Sequence, residues 1–224
     1  VREQPARRAI LVGPLARDRA WLSGALKRLK VSRRDLVIGV DHGAECLARA
    51  GHAPDFAIGD WDSLRSEKSL RGILHITLSR DKERSDFFFA LEAAVNARVH
   101  QVICLGLTGG RPDHHLGVLM DLADLAGAKG KTVRSVAAYA PEGEYHFLDK
   151  TRSRWSARLR PGTLVSLFSL GDKVGGLTLK GFKFPLKNDT LRPSSHGLSN
   201  VALKSRCEVR LKSGKLVVIV PNHD

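Results

Sequence analysis

The chain is poor in four things, and each shortage excludes a class of protein. Its three cysteines, Cys46, Cys104 and Cys207, lie far apart and form no Cys-x-x-Cys pair. That spacing does not make a zinc site, and an odd count does not make a disulfide framework, so the setting it predicts is a reducing cytoplasm. Cys104 sits inside an apolar run and reads as a small core residue. No apolar stretch approaches the roughly 20 residues needed to span a bilayer, and the arginine-bearing start is followed by no secretory cleavage pattern. The expectation is a soluble protein with no membrane partner. Aromatic residues make up only 6%, which argues against a base-stacking nucleic-acid platform. Acidic residues are outnumbered, 23 Asp+Glu against 37 Lys+Arg, for a formal net charge of +14.

What is present is an ordinary globular mixture. Hydrophobic residues account for 42% and charged ones for 27% of 224 positions, enough chain for one large domain or two small ones with a sizeable core. Basic residues exceed acidic ones by 22 to 16 before residue 140 and by 15 to 7 from there on, so neither half holds the whole excess. Such a balance favours anionic partners, among them nucleotides, nucleic acid and acidic surfaces. The charges are scattered rather than blocked, and there is no repeat and no low-complexity tract.

Hydrophobic patterning divides the chain near residue 140. Before it, apolar runs at Arg8–Gly13, Leu36–Val40, Phe56–Ile58, Ile73–Leu78, Val102–Leu107 and Val133–Tyr139 alternate with helical spacings through Trp21–Leu29, Leu47–Ala50 and Ser85–Val95. Strands alternating with helices predict a parallel, Rossmann-like α/β domain over 1–140, whose ligands collect at the carboxyl ends of the strands. After it, short β runs at Tyr145–Leu148, Trp155–Leu159, Leu164–Leu170, Val174–Leu179, Phe182–Leu186, Val201–Val209 and Leu216–Val220 predict an antiparallel β-sandwich over 141–224.

Five clusters carry the chemistry. Phe56-Ala57-Ile58-Gly59-Asp60-Trp61-Asp62-Ser63 ends a strand and presents two carboxylates at i and i+2. In extended backbone Asp60 and Asp62 point to one side, and they need a divalent cation, a shared proton or a basic partner there. Oxygen-only ligands suit Mg²⁺; a solvated turn is the plain alternative. Asp41-His42-Gly43-Ala44 ends another strand, where Gly43 permits close backbone approach and Asp41 can hold a ligand or a metal-bound water, or simply cap a helix. Lys82-Glu83-Arg84-Ser85-Asp86 opens a helix with Ser85 at the N-cap; Asp86 in the first turn is favoured by the helix dipole with or without chemistry. Gly109-Gly110-Arg111-Pro112-Asp113-His114 offers backbone N–H groups, a helix start and a guanidinium to an anion, with Asp113 placed to hold Arg111. His196-Gly197-Leu198-Ser199-Asn200 lies between β runs and is otherwise a hairpin turn.

Taken in order, Asp-x-Gly-Ala, Pro-Asp-x-x-x-Gly-Asp-x-Asp-Ser, Ser-Asp before a helix, Gly-Gly-Arg-x-Asp-His and a β-rich tail with Ser-Asn, the chain resembles the thiamine pyrophosphokinase family from about Ile10 to Val220. The resemblance implies an α/β catalytic domain binding ATP and Mg²⁺, a β-sandwich domain binding thiamine, and a homodimer with active sites between subunits. It implies pyrophosphate transfer from ATP to the hydroxyl of thiamine, leaving AMP. By the same resemblance Asp60, Asp62 and Asp86 are the metal carboxylates, and Asp86 also meets thiamine. Asp41, Gly43, Gly109, Gly110, Arg111 and Asp113 lie on the nucleotide, and Ser199 and Asn200 on the substrate side. The chain departs from the family pattern at His42 and Glu45, where Gly and Asn are usual, at Glu83 and Ser85, where Asp and Thr are usual, and at Val201, where some members place an aromatic. Those departures keep two alternatives in view: a different acceptor alcohol such as a hydroxymethylpterin, and a non-catalytic nucleotide- or nucleic-acid-binding protein on the same scaffold.

Overall fold

The structure, a computed structural model, describes residues 7–61, 71–127 and 132–222. It divides into two compact units: one gathers the described residues up to Val118 with Ala138–Pro141, the other those from Leu119 to Ala137 and from Glu142 onward.

In the first unit the strands are β1 (Arg8–Val12), β2 (Leu36–Val40), β3 (Phe56–Gly59), β4 (His75–Thr77) and β5 (Gln101–Leu105), with helices α1 (Arg19–Arg28), α2 (Gly43–Arg49) and α3 (Asp86–Asn96) between them; α4 (Pro112–Gly127) starts here, and β6 (Ser135–Ala140) follows. β1 pairs in parallel with both β2 and β5, and β3 and β4 extend the sheet in parallel beyond β2. The chain therefore runs outward from β1 to β4 and then returns to the other side of β1. That reversal opens a crevice at the carboxyl ends of β1 and β5, the place where α/β sheets take ligands.

The central strands are apolar almost throughout because the sheet is covered on both faces. Ile10, Val12, Leu22, Leu26, Leu47, Ile103 and Leu105 form one buried cluster. Helix starts are fixed locally: Asp18 accepts from the Ala20 and Trp21 N–H groups, and Ser85 from the Phe88 N–H at 3.2 Å. Cys46, Cys104 and Cys207 are all buried free thiols, and complete burial pushes the Cys104 thiol far up. No helix among the described residues is long and apolar enough to cross a membrane.

In the second unit β7 (Gly143–Leu148), β9 (Leu164–Ser169), β12 (Asn200–Val201) and β14 (Leu216–Pro221) lie side by side in the order β12-β9-β14-β7, and β8 (Arg154–Arg158), β10 (Val174–Lys180), β11 (Leu186–Leu191) and β13 (Arg206–Arg210) form a second layer of order β11-β10-β13-β8. Every pairing within the two is antiparallel. Leu148, Leu167, Leu177, Leu179, Val209, Leu216 and Val218 meet between them, so this is the anticipated sandwich.

Two of its strands differ from the hydrophobic pattern. Phe182 makes only an isolated bridge to Ala202, and the strand expected at Phe182–Leu186 lies instead at Leu186–Leu191, which is mostly exposed. β11 is the outermost strand of its sheet and buries Leu191 but little else, so its sequence carries no alternating signal. The run Val201–Val209 is split because the chain changes sheets there, the Leu203 and Lys204 N–H groups both turning onto the Gly181 carbonyl.

Candidate active site

Three loops of the parallel sheet bring carboxylates together. β2 ends at Asp41, whose left-handed backbone (φ 48) turns the chain sharply while its N–H donates to the Ile58 carbonyl at 2.9 Å. β3 ends at Gly59, where an added Cβ would lie 2.3 Å from Asp41 Oδ1. Only glycine leaves that carboxylate its place. Asp60 follows, and Trp61, also left-handed (φ 59), donates its indole N–H to Thr77 Oγ1 at 3.0 Å. Asp86 opens α3. Carboxylate oxygens of Asp41, Asp60 and Asp86 lie within 4.8 Å of one another. Asp62, expected in this group, lies outside the described residues.

A cation already stands in the cluster. Lys82 Nζ donates to Asp60 Oδ2 at 2.9 Å and lies 3.1 Å from Asp86 Oδ1. The second contact is an ion pair outside hydrogen-bond geometry, so Asp86 Oδ1 is buried with no hydrogen bond. Burial raises the Asp86 pKa; the Lys82 ammonium opposes that rise and neighbouring Asp60 adds to it, leaving the net shift upward. Burial alone would lower the Lys82 pKa, but its two carboxylates outweigh burial and raise it.

Beside this cluster lies a cleft of about 560 Å³ between the ends of β1, β2 and β5 and the start of α3, a size suited to a small-molecule ligand. Asp41 and Asp86 line it, as do Gly109, Arg111 and Asp113. Gly109 and Gly110 take positive φ (90 and 67), and the Gly109 N–H donates to His115 Nδ1 at 2.6 Å. Arg111 forks onto Asp113, Nε to Oδ1 at 3.1 Å and Nη2 to Oδ2 at 2.5 Å. Both are exposed; Asp113 holds the guanidinium charged, and Arg111 pulls the Asp113 pKa down to about 2.

The close approach that Gly43 permits is to the chain itself: a Cβ there would lie 1.8 Å from the Val12 carbonyl oxygen, so the residue seats α2 against the end of β1. Ser199 and Asn200 belong to the second unit. Ser199 is left-handed (φ 56) and its N–H donates to Ser166 Oγ at 3.0 Å. Asn200 is buried and fastens the backbone of Phe184, donating from Nδ2 to its carbonyl at 2.8 Å and accepting its N–H on Oδ1 at 3.1 Å. It thereby presents the exposed Phe184 ring. Two residues of the site carried no usable sequence signal. Arg17 lines the cleft, yet in Ala16-Arg17-Asp18-Arg19 it looks like solvated surface. Lys82 looks like an ordinary i,i+4 partner at a helix start.

Two family models match the chain. Residues 28–133 match "Thiamin pyrophosphokinase, catalytic domain" and residues 154–216 match "Thiamin pyrophosphokinase, vitamin B1 binding domain". A thiamine pyrophosphokinase of Bacillus subtilis (strain 168) is 30% identical over 196 residues, spanning 82% of this chain and 86% of that protein. The chain belongs to the thiamine pyrophosphokinase family. Solved thiamine pyrophosphokinases share the fold: one from Bacillus subtilis with a TM-score of 0.80 at 24% identity, covering 97% of this chain and all of the other, and one from Candida albicans with a TM-score of 0.75 at 16% identity, covering 97% and 90%. Within this chain, Asp41, Asp60, Lys82, Asp86 and Arg111 fall in the catalytic-domain match, whereas Ser199 and Asn200 fall in the vitamin B1 binding match.

Proposed function

We propose that this protein transfers pyrophosphate from ATP to the hydroxyl of thiamine, giving thiamine diphosphate and AMP. The observation that carries the reading is the convergence of Asp41, Asp60 and Asp86 at the edge of a cleft with an arginine on its wall. Three clustered carboxylates and a buried Asp86 oxygen without a hydrogen bond fit a hard divalent cation, Mg²⁺ above all. When bound, that ion neutralises phosphate oxygens and helps align them. Asp62 is proposed as a further ligand from the neighbouring loop.

Arg111 takes the ATP phosphates, with Asp113 fixing its fork and the Gly109-Gly110 turn giving them close backbone approach. In the transfer, the thiamine hydroxyl oxygen bonds to the β-phosphorus, the bond from that phosphorus to the oxygen kept by AMP breaks, and the hydroxyl proton passes to a carboxylate. Asp86 suits that task because its pKa is raised. Such a transfer needs alignment and charge stabilisation more than covalent help. The proposal assigns ATP and metal to residues 1–140 and thiamine to 141–224, with Ser199 on the substrate side, and takes the working form to be a cytoplasmic homodimer. The buried free thiols accord with that compartment.

Purified protein incubated with ATP, Mg²⁺ and thiamine should release AMP and thiamine diphosphate in equal amounts, resolved by chromatography. Release of ADP, or no product, overturns the proposal. AMP formed only with another alcohol, such as a hydroxymethylpterin, moves the acceptor and keeps the reaction; His42, Glu45 and Val201 motivate that arm.

A further inference from the structure

The ammonium of Lys82 lies against the same two carboxylates that a divalent cation joined to Asp60 and Asp86 would use. Its nitrogen lies 2.9 Å from Asp60 Oδ2 and 3.1 Å from Asp86 Oδ1, and all three side chains are largely withdrawn from water, at 13%, 17% and 13% exposure. Magnesium holds oxygens at about 2.0–2.1 Å. An ion joined to those same two oxygens on the side the nitrogen occupies would lie well inside contact distance of it and repel its charge. The two cations compete for that side of the pair.

Local charge explains why a lysine is there. Three carboxylates within 4.8 Å repel one another unless a positive charge lies among them. Lys82, four residues ahead of Asp86 in the loop before α3, supplies a single charge and leaves Asp86 Oδ1 without a hydrogen bond. It steadies the acids, and the Asp86 oxygen, held by an ion pair alone, remains open to a better ligand.

We propose that Lys82 is a built-in placeholder, holding the metal position in the metal-free protein and vacating it when a divalent cation binds. Metal entry is then an exchange of cations rather than the filling of an empty cage. The inference rests on the reading of the acidic cluster as a metal site. It has a thermodynamic consequence: metal alone binds weakly because it must displace an ion pair. Nucleotide phosphates give the released ammonium a new anionic partner and tighten the metal, and by linkage the metal tightens the nucleotide equally.

Manganese titrated into nucleotide-free protein and followed by electron paramagnetic resonance tests this directly. Lys82→Met should bind Mn²⁺ at least tenfold more tightly than the unaltered chain, and Lys82→Arg, which keeps a cation, should not. Equal or weaker binding by a folded Lys82→Met, or no binding by either, overturns the placeholder and makes Lys82 an organiser of the acids. The unaltered protein gives a second measurement that needs no variant. Acetylation of Lys82 by acetic anhydride, read by mass spectrometry, should quicken severalfold once Mg²⁺ saturates the site; an unchanged or slower rate overturns the proposal. Neither readout depends on turnover. A protein that binds Mn²⁺ as stated but releases no AMP refutes the enzymatic reading alone. One that makes thiamine diphosphate while Lys82→Met leaves Mn²⁺ affinity unchanged refutes the placeholder alone.

Discussion

Asp86 in the first unit and Asp149 in the second are both withdrawn from water, and each faces a cation three or four residues away in sequence. Asp149 is fully served. Its Oδ1 accepts from the Thr151 N–H, the Thr151 hydroxyl and the Arg152 N–H, each at 2.7 Å, and its Oδ2 from Arg152 Nη2 at 2.7 Å; Arg152 in turn reaches the Val133 carbonyl. Burial works to raise the Asp149 pKa, but these bonds more than reverse it and the net shift is downward. Asp86 has one ion-pair partner and no hydrogen bond on its buried Oδ1, and its shift is upward. The same residue type beside a cation thus serves two ends. A carboxylate with both oxygens hydrogen-bonded fixes a fold; one held by an ion pair alone is poised for a ligand.

That contrast is sharpest in a pair of matched substitutions. Asp86→Asn should lower pyrophosphate transfer by on the order of a thousandfold, the scale for removing a buried electrostatic contributor to a transition state. It should leave the thermal midpoint level or raised, because it removes a charge from an undercompensated cluster. A normal rate in an AMP-release assay would detach Asp86 from the chemistry. Asp149→Asn should do the reverse, costing about 3 kcal/mol in denaturant unfolding because it strands a buried guanidinium, with turnover per folded molecule preserved. An unfolding midpoint equal to that of the unaltered chain would break the contrast.

The pH dependence separates the closed network further. Asp149 titrates below the ordinary 3.8 when folded, so between that value and its depressed folded value the unfolded chain binds more protons. The stability it contributes is present above about pH 3.8 and is lost as pH falls through the folded value. Acid unfolding of Asp149→Asn should lack that part of the slope. An identical slope would show that the pair contributes nothing specific in acid.

The smallest effect is expected at the exposed pair. Arg111→Ala should raise the KM for ATP about tenfold, the scale of one charge-assisted hydrogen bond, with no measurable change in thermal midpoint, because an exposed Arg111–Asp113 pair adds little to folding. An unchanged KM would remove Arg111 from the phosphates.

Much of this was legible from residues alone, and the exceptions share a cause. Strand ends marked Asp41 and Asp60, and a helix start marked Asp86, as candidates, each with a plain turn or cap as its alternative until the motifs were taken together in order. The grouping of Asp41 with the other two was not legible, since it depends on β2 and β3 being neighbours and on a left-handed turn at Asp41 itself. Lys82 was hidden in the same way: its i,i+4 relation to Asp86 is local, while its bond to Asp60 spans 22 residues. The bond of Asn200 to Phe184 was hidden too, because that partner is 16 residues away on another segment. β11 was missed because an outermost strand needs few apolar residues. What hydrophobic patterning reports is burial, and each of these features depends instead on which chain segments become neighbours.

Gly59 shows how far that dependence reaches. A methyl group at this position would fall 2.3 Å from an Asp41 oxygen, so the meeting of the acids rests on an atom the chain omits. A homologous sequence could retain every acid and base named above and still have its Asp41 carboxylate displaced if residue 59 grew by one carbon. An inventory of reactive groups would miss such a shift, because the decisive quantity there is empty volume.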